Sequence, residues 1–171
     1  MVKAIVSVKN KCDIFILTGF FILSLTMFSK ATEYALRATI FLAQKSSEEN
    51  KLGIDEIATA IDSPKSFTAK ILQQLTKDNR VVSSVRGPHG GFFITAKAKK
   101  LPVRSVLVAM GEDEILEKCV MGLKLCSEVE PCPMHAQYKV IKKQLISLFT
   151  QKTIQQLAAE IKEGVVFIKN K

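Results

Sequence analysis

The stretch from residue 64 to 95 leaves this chain few folds to choose from. It runs from an amphipathic helix pattern through a short apolar segment at 81–85 into Arg86-Gly87-Pro88-His89-Gly90-Gly91, then out along a second apolar segment at 92–95. Two short apolar runs joined by a glycine-rich turn read as a β-hairpin. The helix before it, over about 64–78, puts Phe67, Ile71, Leu72 and Leu75 on one side and Ser66, Ala69, Lys70, Gln73 and Lys77 on the other. A shorter helix at 54–61 precedes it and ends at Asp62-Ser63-Pro64. There Ser63 can cap the next helix and Pro64 suits its first position. Two helices across a tight turn, the second with small, amide and basic residues outward, followed by a hairpin wing, form the winged helix-turn-helix layout. A first packing helix over 31–44 carries Ala31, Ala35, Ala38 and Leu42 along one stripe. The plain alternative for the wing is an ordinary hairpin with a solvated arginine.

Charge agrees with a nucleic-acid partner. The 171 residues carry 25 Lys and Arg against 16 Asp and Glu, a net charge of +9. The excess is spread along the chain, but within 64–91 Lys65, Lys70, Lys77, Arg80 and Arg86 face only Asp78. That segment is the expected site of phosphate contacts. Lys65 and Lys77 are read as phosphate contacts, Ser66, Lys70 and Gln73 as major-groove contacts, and Arg86 and His89 as wing contacts. No Walker loop or dinucleotide fingerprint is present, and His89 and His135 are the only histidines, so an enzyme is not expected.

Beyond the wing, a basic linker holding Lys97, Lys99 and Lys100 leads to a helix opened by Pro102 and stopped by Gly111. Cys119, Cys126, Cys132 and His135 then fall close together. Three clustered thiols without nearby partners argue against a disulfide framework and for a metal or redox site. Thiolates and an imidazole can hold an iron-sulfur cluster. A zinc site with the same four ligands, a thiol redox switch and simple buried cysteines are the alternatives, although the gaps are wide for a zinc knuckle. After His135, Tyr138, Ile141, Leu145 and Leu148 are spaced 3, 4 and 3, the pattern of a helix packing lengthwise on a second copy. Thr153 and Gln156 form a capping-box pattern for a last helix that buries Ile154, Leu157 and Ile161.

The first 26 residues stand apart. An uncharged, mostly apolar run at 14–29 follows Lys3, Lys9 and Lys11, the layout of a signal peptide or short anchor. The run is shorter than a bilayer span of about 20 residues and no small-x-small cleavage site follows it. Met27 is read as the start of the folded protein, which places it in the cytoplasm, with a membrane tether or export as the alternative.

Three motifs together resemble one family. Ser29-Lys30-Ala31-Thr32-Glu33-Tyr34-Ala35-Leu36-Arg37-Ala38, then Ser84-Val85-Arg86-Gly87-Pro88-His89-Gly90-Gly91-Phe92, and the array of Cys119, Cys126, Cys132 and His135 are similar to the IscR/NsrR group of bacterial Rrf-type regulators. The resemblance implies a homodimer that binds a near-palindromic operator in double-stranded DNA under control of an iron-sulfur cluster sensing NO, redox or iron-sulfur status. It implies no small-molecule substrate. Cys119, Cys126 and Cys132 match the family's cysteine ligands. His135 is the favoured fourth ligand and fits a two-iron (2Fe-2S) cluster; Glu33, where some members use an aspartate, would fit a four-iron (4Fe-4S) one. Two departures stand out: the 26-residue extension, and the junction Asn79-Arg80-Val81-Val82, about one residue longer than usual. The expected architecture is mainly α with a small β-hairpin: extension 1–26, winged helix-turn-helix 27–97, and cluster loop with long dimerisation helix 98–171.

Overall fold

In the computed structural model, which describes residues 27–77, 80–161 and 168, seven α-helices, a 3-10 turn and one two-stranded hairpin follow one another. The apolar extension 1–26 and the Asn79 end of the junction into the wing lie outside the described residues. Helix α1 (Lys30–Lys45) begins where the Ser29 hydroxyl accepts from the Thr32 N–H at 3.2 Å. Glu33 in its first turn and Lys45 in its last complement the helix dipole. Its inner stripe, Ala35, Ala38 and Leu42, is fully buried.

Helix α2 (Ile54–Ile61) ends with Asp62 in the left-handed region, φ 54°. Helix α3 (Lys65–Leu75) follows and buries Thr68, Ile71, Leu72 and Leu75. Its opening corrects the expected cap. The Ser63 N–H bonds back to the Ala58 carbonyl at 3.0 Å and so closes α2, while its hydroxyl is enclosed without a hydrogen-bond partner among the described residues. Pro64 is the capping residue rather than the first helical one: its carbonyl accepts from the Phe67 and Thr68 N–H groups at 3.0 and 2.9 Å.

Strands β1 (Ser83–Val85) and β2 (Gly91–Phe93) pair antiparallel, with Ser84 opposite Phe92. Both are shorter than the periodicity predicted. Val81, Val82 and Ile94 instead plug into the core as nearly sealed side chains. Leu52 adds a bridge on the other edge, exchanging backbone bonds with Phe92 at 3.0 and 2.9 Å. Gly90 is required by the turn: a Cβ there would lie 2.2 Å from the Val85 carbonyl oxygen.

The expected basic linker is in fact helix α4 (Ala96–Lys99), capped by the Thr95 hydroxyl on the Ala98 N–H. Ala98 is buried, and Lys99 reaches the Ser46 carbonyl at 3.1 Å, so the lysine closes the end of α1 rather than serving as a spacer. Helix α5 (Arg104–Met110) stops at Gly111, φ 72°, as the sequence predicts. A 3-10 turn, Asp113–Leu116, then buries Leu116 completely. Helix α6 (His135–Gln151) has no buried residue. Helix α7 (Ile154–Glu160) carries the expected Thr153–Gln156 capping box; Ile154 and Ala158 are buried, and Leu157 and Ile161 only half-buried.

One core joins these elements. Leu42, Ile57, Ile61, Ile71, Leu72 and Leu75 from the first three helices pack with Val106 and Met110 of α5 and Ile154 and Ala158 of α7. Each large aliphatic chain so buried contributes about 1.5–3 kcal/mol. The segment before α5 is laced to the α6–α7 connector by Val103 N–H to Lys152 carbonyl at 2.9 Å and Ile154 N–H to Leu101 carbonyl at 3.0 Å. Helix α3 is thereby held from behind, with its outer face exposed.

Candidate functional site, a DNA-binding face and a cysteine loop

The outer face of α3 is a polar stripe. Lys65, Ser66, Lys70, Gln73 and, just past the helix, Lys77 are all exposed, while the opposite side is sealed in the core. Ser66, Lys70, Gln73 and Lys77 stand at i, i+4, i+7 and i+11, one line along a helix. Lys65 differs from the rest because Asp55 of α2 holds its ammonium at 2.7 Å. That partner was not foreseen. Arg86 and His89 are exposed on the wing beside Gly87 and Pro88. Gln74, an exposed residue of α3, donates to the Met110 carbonyl at 3.1 Å and ties the helix to the end of α5. Tyr34 of α1 packs edge-on against Phe67 at 5.8 Å and fixes the tilt of α3 from the other side. A helix presenting small, amide and cationic groups, with a cationic wing beside it, suits major-groove readout flanked by phosphate contacts.

The second site is the loop between the 3-10 turn and α6. Cys119 is buried; Cys126, Cys132 and His135 are half-buried. Of the four expected ligands, Cys126 and His135 meet, Sγ to Nδ1 at 3.6 Å. Among the described residues, no three Cys, His, Asp or Glu side chains converge on one metal-binding point. Glu33 takes Lys30 as its ion-pair partner at 2.7 Å within α1.

Electrostatics at Cys119 favour its thiolate. The Met121 N–H lowers its pKa most, against burial, with the Leu123 N–H, the Cys132 thiol and the Lys142 ammonium adding to the fall. Lys142 was missed in the sequence, although it sits four residues after Tyr138 and three before Leu145, on their side of α6. It also donates to the Glu117 carbonyl, and Glu128 pairs with Lys139, so both ends of the loop are tied to α6. Burial raises the pKa of the Glu112 carboxyl, but bonds from the Ser29 hydroxyl and N–H and from Thr32, with Lys118 nearby, outweigh it, and the net shift is downward.

The loop and helix expose apolar surface. Val120, Met121, Leu123, Leu125 and Val129 are all outward, Val129 at 91%. The 3-4-3 stripe of α6 divides: Tyr138 and Leu145 are half-buried, whereas Ile141 and Leu148, with Val140, are exposed. Phe149 on the half-buried side meets Phe28 edge-on at 5.5 Å.

Residues 28–160 match the Rrf2 family, described as an iron-dependent transcriptional regulator. An HTH-type transcriptional regulator of Aquifex aeolicus is 32% identical over 133 residues, 77% of this chain and 90% of the relative. The HTH-type transcriptional regulator NsrR of Oceanobacillus iheyensis is 31% identical over 121 residues, covering 70% and 79% respectively. The solved T. potens IscR shares the fold at a TM-score of 0.60 and 17% identity, over 84% of this chain and 93% of that one. Among the described residues no helix is long and apolar enough to cross a membrane. The chain therefore belongs to the Rrf2 family: it is a DNA-binding winged-helix transcriptional regulator and not an enzyme.

Proposed function

We propose that this regulator senses through its cysteine loop, where an iron-sulfur cluster held by Cys119, Cys126, Cys132 and His135 sets operator affinity. The observation that carries the reading is the loop itself: three thiols and an imidazole within one loop, Cys126 against His135, with backbone N–H groups and Lys142 favouring the Cys119 thiolate. The donor set fits the group, since thiolates bind cluster iron and imidazole can replace thiolate. Two irons are favoured with His135 as fourth ligand; Glu33, already paired with Lys30, remains the alternative for four. When bound, the cluster supplies a centre that responds to NO, redox state or iron-sulfur supply. The protein's part is to hold the thiols, offset their charge through Lys142, and link the loop to the DNA-binding half. On that half, Ser66, Lys70 and Gln73 read base edges in the major groove, Lys65 and Lys77 hold phosphates, and Arg86 and His89 extend the footprint through the wing.

A second copy covers the outer face of α6. A helix with no buried residue and Val140, Ile141 and Leu148 exposed meets its partner lengthwise, and two recognition helices then address a near-palindromic operator in the cytoplasm. The Cys132 thiol, which helps lower the pKa of Cys119, favours one other reading, a thiol switch in place of the cluster. Iron, acid-labile sulfide and zinc are measured on the full chain purified without oxygen, with its visible spectrum. Comparable iron and sulfide with broad visible absorption support the cluster. Zinc near one per chain, or no metal after reconstitution, refutes it and leaves a structural zinc site or a thiol pair.

A further inference from the structure

The stretch leading into Cys119 is gripped from several sides. Arg104, in the first turn of α5, places its guanidinium 2.7 Å from Glu117 and 3.4 Å from Asp113. Its side chain is 26% exposed and that of Asp113 34%, while the Glu117 carboxylate stands out into solvent at 59%, so the fork is shielded on the Arg104–Asp113 side only. Glu117 stands two residues before Cys119, and its carbonyl accepts from Lys142 of α6. At the other end of α5, the Met110 carbonyl accepts from Gln74 of the recognition helix at 3.1 Å. Helix α5 is thus bonded at its start to the root of the cysteine loop and at its end to α3. It is two turns long, with Val106, Leu107 and Met110 in the core, so it moves as one rigid piece.

We propose that Arg104 is the positioning residue that couples the cysteine loop to the recognition helix, by making Asp113, Glu117 and α5 one body whose place α3 must follow through Gln74. The proposal rests on the reading that the loop controls operator binding. It differs from a structural role because it places Arg104 outside both sites: removing it should leave DNA binding and loop chemistry in place and abolish the dependence of one on the other.

The test is a double-mutant cycle on the full chain, purified without oxygen. The probe is a duplex selected from a randomised pool by the wild-type protein. Affinities are measured by fluorescence anisotropy for wild type, Cys126→Ala, Arg104→Met and the double variant, with iron and sulfide assayed on each. Cys126→Ala is expected to change affinity about fivefold or more in the wild-type background. In the Arg104→Met background the same change should fall below about twofold, the additivity limit for uncoupled sites. Arg104→Lys, a point charge that engages one carboxylate at a time, should give an intermediate ratio. Glu117→Gln, at an exposed carboxylate, repeats the test without removing a chain from α5.

An undiminished Cys126→Ala effect in Arg104→Met, or iron lost from Arg104→Met itself, overturns the proposal. No Cys126→Ala effect in wild type refutes the sensing reading instead, and amide exchange then decides the coupling. Faster exchange in both 113–119 and 71–77 of Arg104→Met, with α1 and α2 unchanged, supports the link. Faster exchange confined to 113–119, or spread over the whole domain, sinks it.

Discussion

Gly90→Ala tests whether the wing turns as tightly as its backbone distances require. The added Cβ would sit 2.2 Å from the Val85 carbonyl oxygen and 2.9 Å from both the Arg86 carbonyl carbon and the Gly87 oxygen. All three neighbours are backbone, so no side chain can swing aside. Restoring an ordinary separation means opening the turn by roughly 1 Å, which stretches the 2.9 Å bond from the Gly90 N–H to the Gly87 carbonyl beyond useful length. It also loosens the Val85–Gly91 end of the register, next to the Leu52–Phe92 bridge. One net hydrogen bond plus residual backbone strain amounts to about 1–3 kcal/mol. The expected result is a melting temperature lower by several degrees, at about 2–8 °C per kcal/mol for a domain of this size range. Operator binding changes in a particular way: the slope of log affinity against log salt falls by about one for each phosphate that the opened wing no longer reaches. Arg86→Ala gives the reference slope. A Gly90→Ala protein that melts and binds like wild type would refute both the tight turn and the role of the wing.

Other expectations can be checked with purified protein. Leu72→Ala opens a cavity in a fully buried site and should cost about 2–5 kcal/mol in denaturant unfolding. Glu112 has a depressed folded pKa, so its stabilisation is complete above the unfolded carboxylate range and is lost as pH falls through the folded value. Glu112→Gln should accordingly flatten the acid side of the stability profile and lower stability at neutral pH; an unchanged profile counts against the Ser29 contact. Ile141→Asp on the outer face of α6 should yield monomers in sedimentation with the wing and core intact, and a persistent dimer would move the interface elsewhere. Asp55→Asn frees Lys65, whose exposed ion pair is worth at most about 1 kcal/mol, and should raise operator affinity by up to several-fold, with Lys65→Ala in the same background removing the gain.

Much of the DNA-binding half was legible because its signals are periodic. Helix α1 and helix α3 show their inner stripes directly, and Gly90 marks a turn that tolerates no side chain. What escaped were features decided by a neighbour. Ser63 looks like a cap until α2 claims its N–H, and the Lys97–Lys100 stretch looks like a linker until Ala98 finds the core and Lys99 finds the end of α1. Leu116 sits in a turn too short to show a period, flanked by acids, yet is fully buried. At the cysteine loop the candidate donors could be picked out, but not which of them meet, since spacing alone does not put Cys126 against His135. The heptad in α6 marked the helix correctly and was silent on its two sides, because Tyr138 and Leu145 turn toward partial cover while Ile141 and Leu148 do not.

Helix α6 raises a question of stability that bears on sensing. An isolated helix of 17 residues is marginal in water even with good helix formers, and α6 buries none of its residues. Its anchors among the described residues include the Phe28–Phe149 contact, the bond from Lys142 to Glu117, the Lys139–Glu128 pair and the Cys126–His135 contact in its first turn. Three of those four lead back to the cysteine loop or the segment before it. The order of α6 and the order of the loop are therefore thermodynamically linked, and whatever fixes the loop also favours a straight, complete α6. If a second copy covers Val140, Ile141 and Leu148, it stabilises the helix from the other side, so dimerisation and loop ordering reinforce each other by the same linkage. In the proposed dimer, the spacing of the recognition helices can then change without any contact between ligand and DNA-binding face, because the helix that would set the spacing is the one whose order is linked to the loop.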